Sequence, residues 1–144
     1  MIQLIKIYLS GPFFSPTQVQ KIKRIETALS VNSTVNRIFS PRKDAQATAK
    51  SGTTTWRQQV YRNDMQGLLS SNVIVAMLDF DHHDTDSGTA YEIGQGKAHR
   101  IPVVIVKTDH HATNLMISES ADDSLKRIDD LKKYDFRKLV GIKK

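Results

Sequence analysis

Five carboxylates crowd a short stretch of this chain. An apolar run, Val73 to Leu78, gives way to a loop and a helix start that carry Asp79, Asp81, Asp84, Asp86 and Glu92. Carboxylates gathered at one edge repel each other unless a polyhydroxyl ligand, a cation or a proton offsets them. Asp86 or Ser87 can cap the helix, which leaves Glu92 close to its amino end. There the macrodipole and unpaired amides favour an ionised carboxylate by roughly 0.3–1 kcal/mol. An ionised Glu in a partly dry pocket suits nucleophilic attack on an electrophilic carbon; the plain alternative is a solvent-facing helix glutamate. Gly88 lets the backbone approach a ligand closely.

Glycosyl transfer by two carboxyl groups needs one ionised as nucleophile and a second, protonated group to assist departure. Asp64 supplies a candidate, falling four residues after Val60 and four before Leu68 on the apolar stripe of a helix. An inward carboxylate is costly unless partnered, and desolvation raises its pKa. A hydrogen bond to a neighbouring loop is the bland reading. Tyr8, near the end of the first strand, can reach a crest carboxylate or serve as a core aromatic. The tripeptide Asp-His-His occurs twice, at Asp81-His82-His83 and Asp109-His110-His111, in the vocabulary of metal ligands. The remainder of the DHH phosphoesterase pattern is missing, so exposed histidines beside acidic loops explain it and no metal is expected. Gly94-Gln95-Gly96 lies inside a helix, so no phosphate-cradling glycine loop is present and no cofactor is called for.

The elements that must position these groups follow from periodicity. Leu4–Leu9 reads as a first strand, ending in the turn Ser10-Gly11-Pro12-Phe13-Phe14. Ser15 caps a helix with Pro16 at its first position and Val19, Ile22, Ile25 and Leu29 at helical spacing, to about Ser30. Val35–Phe39 is a second strand. Arg42–Thr55 has neither period and reads as a mobile loop. Trp56–Leu69 is helical, Val73–Asp79 is a strand buried on both faces, Gly88 to about His99 is a helix, and Pro102–Lys107 is a fourth strand. Asp109–Thr113 is a loop, and Asn114 to Ile117 begins a short turn or helix. Ser124–Ile128 is either a fifth strand or part of a helix running to Leu139. The alternation predicts a single α/β domain over residues 1–144. Its architecture is a three-layer α/β/α sandwich, flavodoxin-like or Rossmann-like, on a mainly parallel sheet of four or five strands. Ligands of such sheets sit at the carboxyl ends of the strands, where the acidic loop lies.

Composition narrows the class. The chain has 144 residues, 39% hydrophobic and 25% charged, in the range of a globular protein with a sizeable core. No apolar run approaches the ~20 residues of a membrane span, and the amino-terminal residues read as a strand, not as a signal peptide. The absence of cysteine fits a cytoplasmic protein. A net charge of +6 invites a nucleic-acid partner. The basic residues are scattered, however, densest from Lys126 to Lys144, and no aromatic-basic stripe appears. A solvated basic surface is the better reading.

With these residues in view, the sequence resembles the nucleoside 2-deoxyribosyltransferase family over most of its length. The shared features are IYLSGPFF, YRNDMQGLLSSNVIVAMLD, the block DSGTAYEIGQGKA, the PVVIV strand and NLM near the end. The central block, D-x-G-x-A-[YF]-E-[IL]-G after a buried strand, is its specific part. The resemblance implies base exchange between 2′-deoxynucleosides and free nucleobases through a covalent 2-deoxyribosyl enzyme with net retention. It implies that Glu92 is the nucleophile, that Tyr8 orients it, and that Asp64 handles the base's proton. Asp86 would hold the sugar 3′-hydroxyl beside the Ser10 amide, and Phe13 would pack on the base. Gly11, Gly88 and Met116 join the substrate-binding set. Asn114 would reach the 5′-hydroxyl in a neighbouring subunit's site, since family members are homo-oligomers with shared sites. One departure is the basic segment Val140-Gly141-Ile142-Lys143-Lys144, where the family carries a terminal Tyr carboxylate that helps bind the 5′-hydroxyl. A basic tail suits a 5′-phosphate, as in the related 2′-deoxynucleoside 5′-monophosphate N-hydrolases. A nucleotide-binding module without turnover is a further alternative.

Overall fold

The computed structural model describes residues 5–141. Five parallel strands form one sheet: β1 (Ile5–Ser10), β2 (Val35–Phe39), β3 (Val73–Met77), β4 (Val103–Val106) and β5 (Asp123–Leu125), in the order β2-β1-β3-β4-β5. The helices are α1 (Pro16–Ser30), α2 (Pro41–Asp44), α3 (Thr54–Leu69), α4 (Ser87–Ala98) and α5 (Leu115–Ser118). Two 3₁₀ turns follow, Ile128–Lys132 and Phe136–Leu139. The expected α/β sandwich is therefore observed with five strands. Its order reverses direction between β1 and β3, the switch point at which doubly wound sheets open a crevice.

The period of two along each strand decides what faces which layer. Ile7 and Leu9 of β1 join Val73, Val75 and Met77 in the core under α1 and the carboxyl-terminal 3₁₀ turns. Tyr8 lies on the opposite face, in the core that Leu68 of α3 and Ile93 of α4 share with Ile74 and Ala76. Tyr8 pairs with Ile74, and Ser10 with Ala76, in register. Thus β1 delivers two polar groups, two residues apart, to the same face as α4.

α4 can lie low over that face because of one glycine. A Cβ on Gly96 would stand 2.2 Å from Cδ1 of Ile74, so a larger residue there forces either that side chain or the helix to shift. The amino end is fixed by Asp86, whose Oδ2 accepts the Thr89 backbone N–H at 3.2 Å, a cap of about 1 kcal/mol. Gly11 allows a second close approach: a Cβ there would meet Ile22 and Met77, each at 2.9 Å.

Several boundaries differ from those expected. Leu4 lies outside the described residues, as do Ile142, Lys143 and Lys144 of the basic segment. The stretch 42–55 is not uniformly a loop: α2 opens it at Pro41, and α3 begins at Thr54, two residues before Trp56. Thr53 makes the difference, its hydroxyl accepting the Trp56 N–H at 3.1 Å. Leu69, at the end of the apolar stripe of α3, is exposed. β3 ends at Met77, short of Asp79. Of the two readings of the tail, the strand is realised, at Asp123–Leu125 beside β4. Among the described residues no helix is long and apolar enough to cross a membrane.

Candidate active site

Glu92 projects from the second turn of α4 toward the carboxyl end of β1. Its Oε1 accepts the Ser10 hydroxyl at 2.6 Å, and its Oε2 accepts the Tyr8 hydroxyl. The Tyr8 ring is fully buried and stacks on Phe39 with centroids 5.5 Å apart. Both readings of Tyr8 therefore hold: the ring is core and the hydroxyl is tied to the carboxylate. The hydroxyl's own pKa is pushed far up by burial and by the charges of Glu92 and Asp64, so it serves as a fixed donor.

The macrodipole argument for Glu92 needs correction. With Asp86 as the cap, Glu92 lies beyond the first turn, where no backbone N–H is left free to reach it. Burial instead pushes its carboxyl above the ordinary value, while the hydrogen bonds from Ser10 and Tyr8 pull it back and the Asp86 charge raises it again. Two hydroxyl donors, not the helix end, hold this carboxylate.

Glu92 opens onto a cavity of about 610 Å³ whose wall includes Asp64, Asp86, Gly11, Phe13 and Gly88. Five of the residues singled out in the sequence thus meet Glu92 in one place. Oδ1 of Asp64 is buried without a hydrogen-bond partner, so the expected loop contact is not made by that atom. Burial, then the nearby charge of Glu92, pushes Asp64 up to about 7. Asp86 commits Oδ2 to the Thr89 backbone N–H and hydroxyl, leaving Oδ1 for a ligand. Phe13 stacks on Phe14, and Phe14 meets the edge of Phe80. Gln18 secures this aromatic turn: its side chain accepts the Phe14 N–H at 2.7 Å and donates to Asp81 at 2.7 Å.

The other crest carboxylates leave the site. Asp79 is 3% exposed and accepts from Lys21 at 2.8 Å, from the Thr108 N–H at 2.9 Å and from the Thr108 hydroxyl. Asp84 accepts the Thr85 N–H at 2.7 Å and the Asn114 N–H at 3.1 Å. The expected crowd of five is therefore partitioned: Asp79, Asp81 and Asp84 tie loops together, and Asp86 and Glu92 remain with Asp64. His82, His83, His110 and His111 are exposed. Among the described residues no group of three or more His, Cys, Asp or Glu side chains is arranged to hold a metal.

Asn114 and Met116 stand apart from the Glu92 cavity. Asn114 caps α5, its Oδ1 accepting the Met116 N–H at 2.8 Å, and both line a second hollow of about 520 Å³ with Asp84 and Lys97. The sequence reading also missed part of the main cavity. Phe14, Arg42, Trp56 and Val60 share its wall, and Ser10 contributes its hydroxyl to Glu92 where its amide was expected to matter. In the sequence Trp56 reads only as the first residue of a helix. Its position one turn before Val60 and two before Asp64 was the available signal.

Known proteins place this geometry in a family. The sequence profile of nucleoside 2-deoxyribosyltransferases matches residues 7–127. The chain is 31% identical to a nucleoside deoxyribosyltransferase of Limosilactobacillus fermentum over 146 residues, covering 91% of this chain and 86% of that one. Its fold is similar to the structure of a 2-deoxyribosyltransferase from Bacillus psychrosaccharolyticus, with a TM-score of 0.81 and 28% identity over 93% of this chain and 95% of that one. A conserved protein from Enterococcus faecalis V583 shares the fold, with a TM-score of 0.78 and 23% identity over 94% and 99% of the two chains. The chain accordingly belongs to the nucleoside 2-deoxyribosyltransferase family, enzymes of the glycosyltransferase type.

Proposed function

We propose that this enzyme exchanges the base of a 2′-deoxynucleoside through a covalent 2-deoxyribosyl-Glu92 intermediate. The observation that carries the reading is a half-buried carboxylate fixed by two hydroxyl donors in a cavity whose wall holds a second, unpartnered acid. In the first half-reaction Oε of Glu92 attacks the anomeric carbon as the glycosidic bond breaks through an oxocarbenium-like state. Asp64, with its pKa near 7, gives a proton to the departing base. A second base then attacks from the same face while Asp64 takes the proton back, and two inversions leave net retention. Lacking a 2′-hydroxyl, the sugar forms the cation more readily, which favours deoxy donors. Tyr8 and Ser10 hold Glu92 in one rotamer. The free oxygen of Asp86 takes a sugar hydroxyl, Phe13 covers the base, and Gly11 and Gly88 keep the floor open. No cofactor enters this scheme.

The site is shared between subunits in this proposal. Leu115 and Met116 are 67% and 73% exposed, and Asn114 sits beside them away from its own chain's cavity. They would meet the substrate's 5′ end in a neighbouring copy, a homo-oligomer in the cytoplasm working in nucleoside salvage.

The test is to mix deoxyinosine or thymidine with adenine and to follow the products by chromatography. Formation of deoxyadenosine supports base exchange. Free 2-deoxyribose in its place, or turnover only of 5′-monophosphates, would replace it with an N-glycosidase.

A further inference from the structure

The segment that brings Arg42 to the wall of the Glu92 cavity is held by a buried glutamate. Glu26 of α1 is 9% exposed and accepts the Ser40 hydroxyl at 2.6 Å, the Arg42 Nε–H at 2.9 Å, and an Nη2–H of Arg42. Its carboxyl is held below the ordinary range chiefly by Arg42 and Ser40, against burial. Lys43 lies 3.6 Å away and adds a weaker contact. An arginine has five N–H donors in a rigid fork. Glu26 engages two of them, which fixes the plane of the guanidinium and leaves three.

Arg42 is also in the wall of the Glu92 cavity, and among the described residues lining it Arg42 alone is a cation, in a wall that also holds three acids. The same wall holds Ala45, Ala47, Trp56 and Phe14, apolar groups suited to a flat ring, with Gln46 as a neutral polar group. The acids accept hydrogen bonds from sugar hydroxyls and from a protonated base. At their end the donor toward the base is the proton of Asp64, which the proposed reaction gives to the departing base.

We infer that Arg42, positioned by Glu26, is a specificity-determining residue that donates to the exocyclic carbonyl oxygen of the nucleobase, so that oxo-bases are selected over amino-bases. This rests on the transferase reading for its substrate class, and is tested by binding alone so that the two fail separately. A half-neutralised guanidinium with a fixed edge matches a neutral planar acceptor. An amino-base presents a donor to that donor and leaves the free edge of the half-buried fork unpaired, which site-directed discrimination exploits.

Trp56 is the one tryptophan of the chain and reports on this cavity directly. Equilibrium binding of hypoxanthine and of adenine is followed by its fluorescence in the wild type, in Arg42→Met and in the double variant Arg42→Met with Glu26→Gln, which leaves no lone buried carboxylate. The wild type is expected to bind hypoxanthine at least ~10-fold more tightly than adenine, and both variants to bring that ratio within about twofold. Deoxyinosine 5′-monophosphate and deoxyinosine form the second pair. A preference ratio that survives in both variants would overturn the inference. So would a loss that tracks the 5′-phosphate instead of the base.

Discussion

Asp79 and Glu92 are both carboxylates at the carboxyl end of one sheet, thirteen positions apart, yet their surroundings push them in opposite directions. Asp79 meets an ammonium, a backbone amide and a hydroxyl, and its carboxyl lies below the ordinary range despite burial. Glu92 meets only the hydroxyls of Tyr8 and Ser10, and burial wins. Asp64, with one oxygen unpartnered, rises further. A carboxylate supplied with cations and amides serves the fold. One given hydroxyls, or nothing, is left reactive, and this separates the two uses more sharply than burial does.

The contrast can be broken from either side. The largest expected effect is that of Glu92→Ala, which removes the attacking atom: base exchange should fall by at least ~10³-fold while the melting temperature stays within a few degrees. Steady-state exchange assays beside thermal melts decide this, and retained exchange would remove Glu92 from the chemistry. Next comes Asp64→Asn, expected to lower kcat by roughly 10²–10³-fold. In the wild type, activity that needs protonated Asp64 should be present at lower pH and be lost as pH rises through about 7; the variant's pH profile should lack that limb.

Stability sharpens the same comparison. The folded-state pKa of Asp64 is raised, so its contribution is complete below the unfolded carboxylate value near 4 and is lost as pH rises toward 7. Asp64→Asn should therefore stabilise the ligand-free protein above pH 7, by about 1–2 kcal/mol after allowing for partial solvent screening. Asp79 has the opposite sign: its depressed pKa gives stability above the unfolded value that is lost as pH falls through the folded one. Asp79→Ala should cost about 2–4 kcal/mol in denaturant titration, because it leaves Lys21 and Thr108 without their acceptor. If both substitutions shift stability in the same direction, the contrast is wrong. The smallest effect is that of Tyr8→Phe. Ser10 still holds one oxygen of Glu92, so a loss of about tenfold in kcat is expected, with KM little changed.

Much of this arrangement was legible in the chain. The apolar run of β3, the Asp-capped start of α4 and the inward position of Asp64 are local patterns, and local patterns survive folding. The alternation in β1 sets Tyr8 against Ile7 and Leu9 without any structure, whereas Ser10, read as the first residue of the turn, proves to be the last of the strand. What could not be read is which crest carboxylate finds a cation. The partners of Asp79 lie 58 and 29 residues away in sequence, and no periodicity announces Lys21 or Thr108. The cavity wall of Phe14, Arg42 and Trp56 was hidden for a related reason. It is assembled from a turn, a four-residue helix and the first turn of α3, segments too short to show a period. Asn114 and Met116 lie on an exposed face that a single chain leaves without a use.

The most direct measurement is intact-protein and peptide mass spectrometry of the enzyme incubated with a deoxynucleoside and no acceptor base. The account expects an added mass of one 2-deoxyribosyl group on the peptide that carries Glu92, discharged when adenine is supplied. Exchange that proceeds with no adduct, or an adduct on another residue, would contradict it.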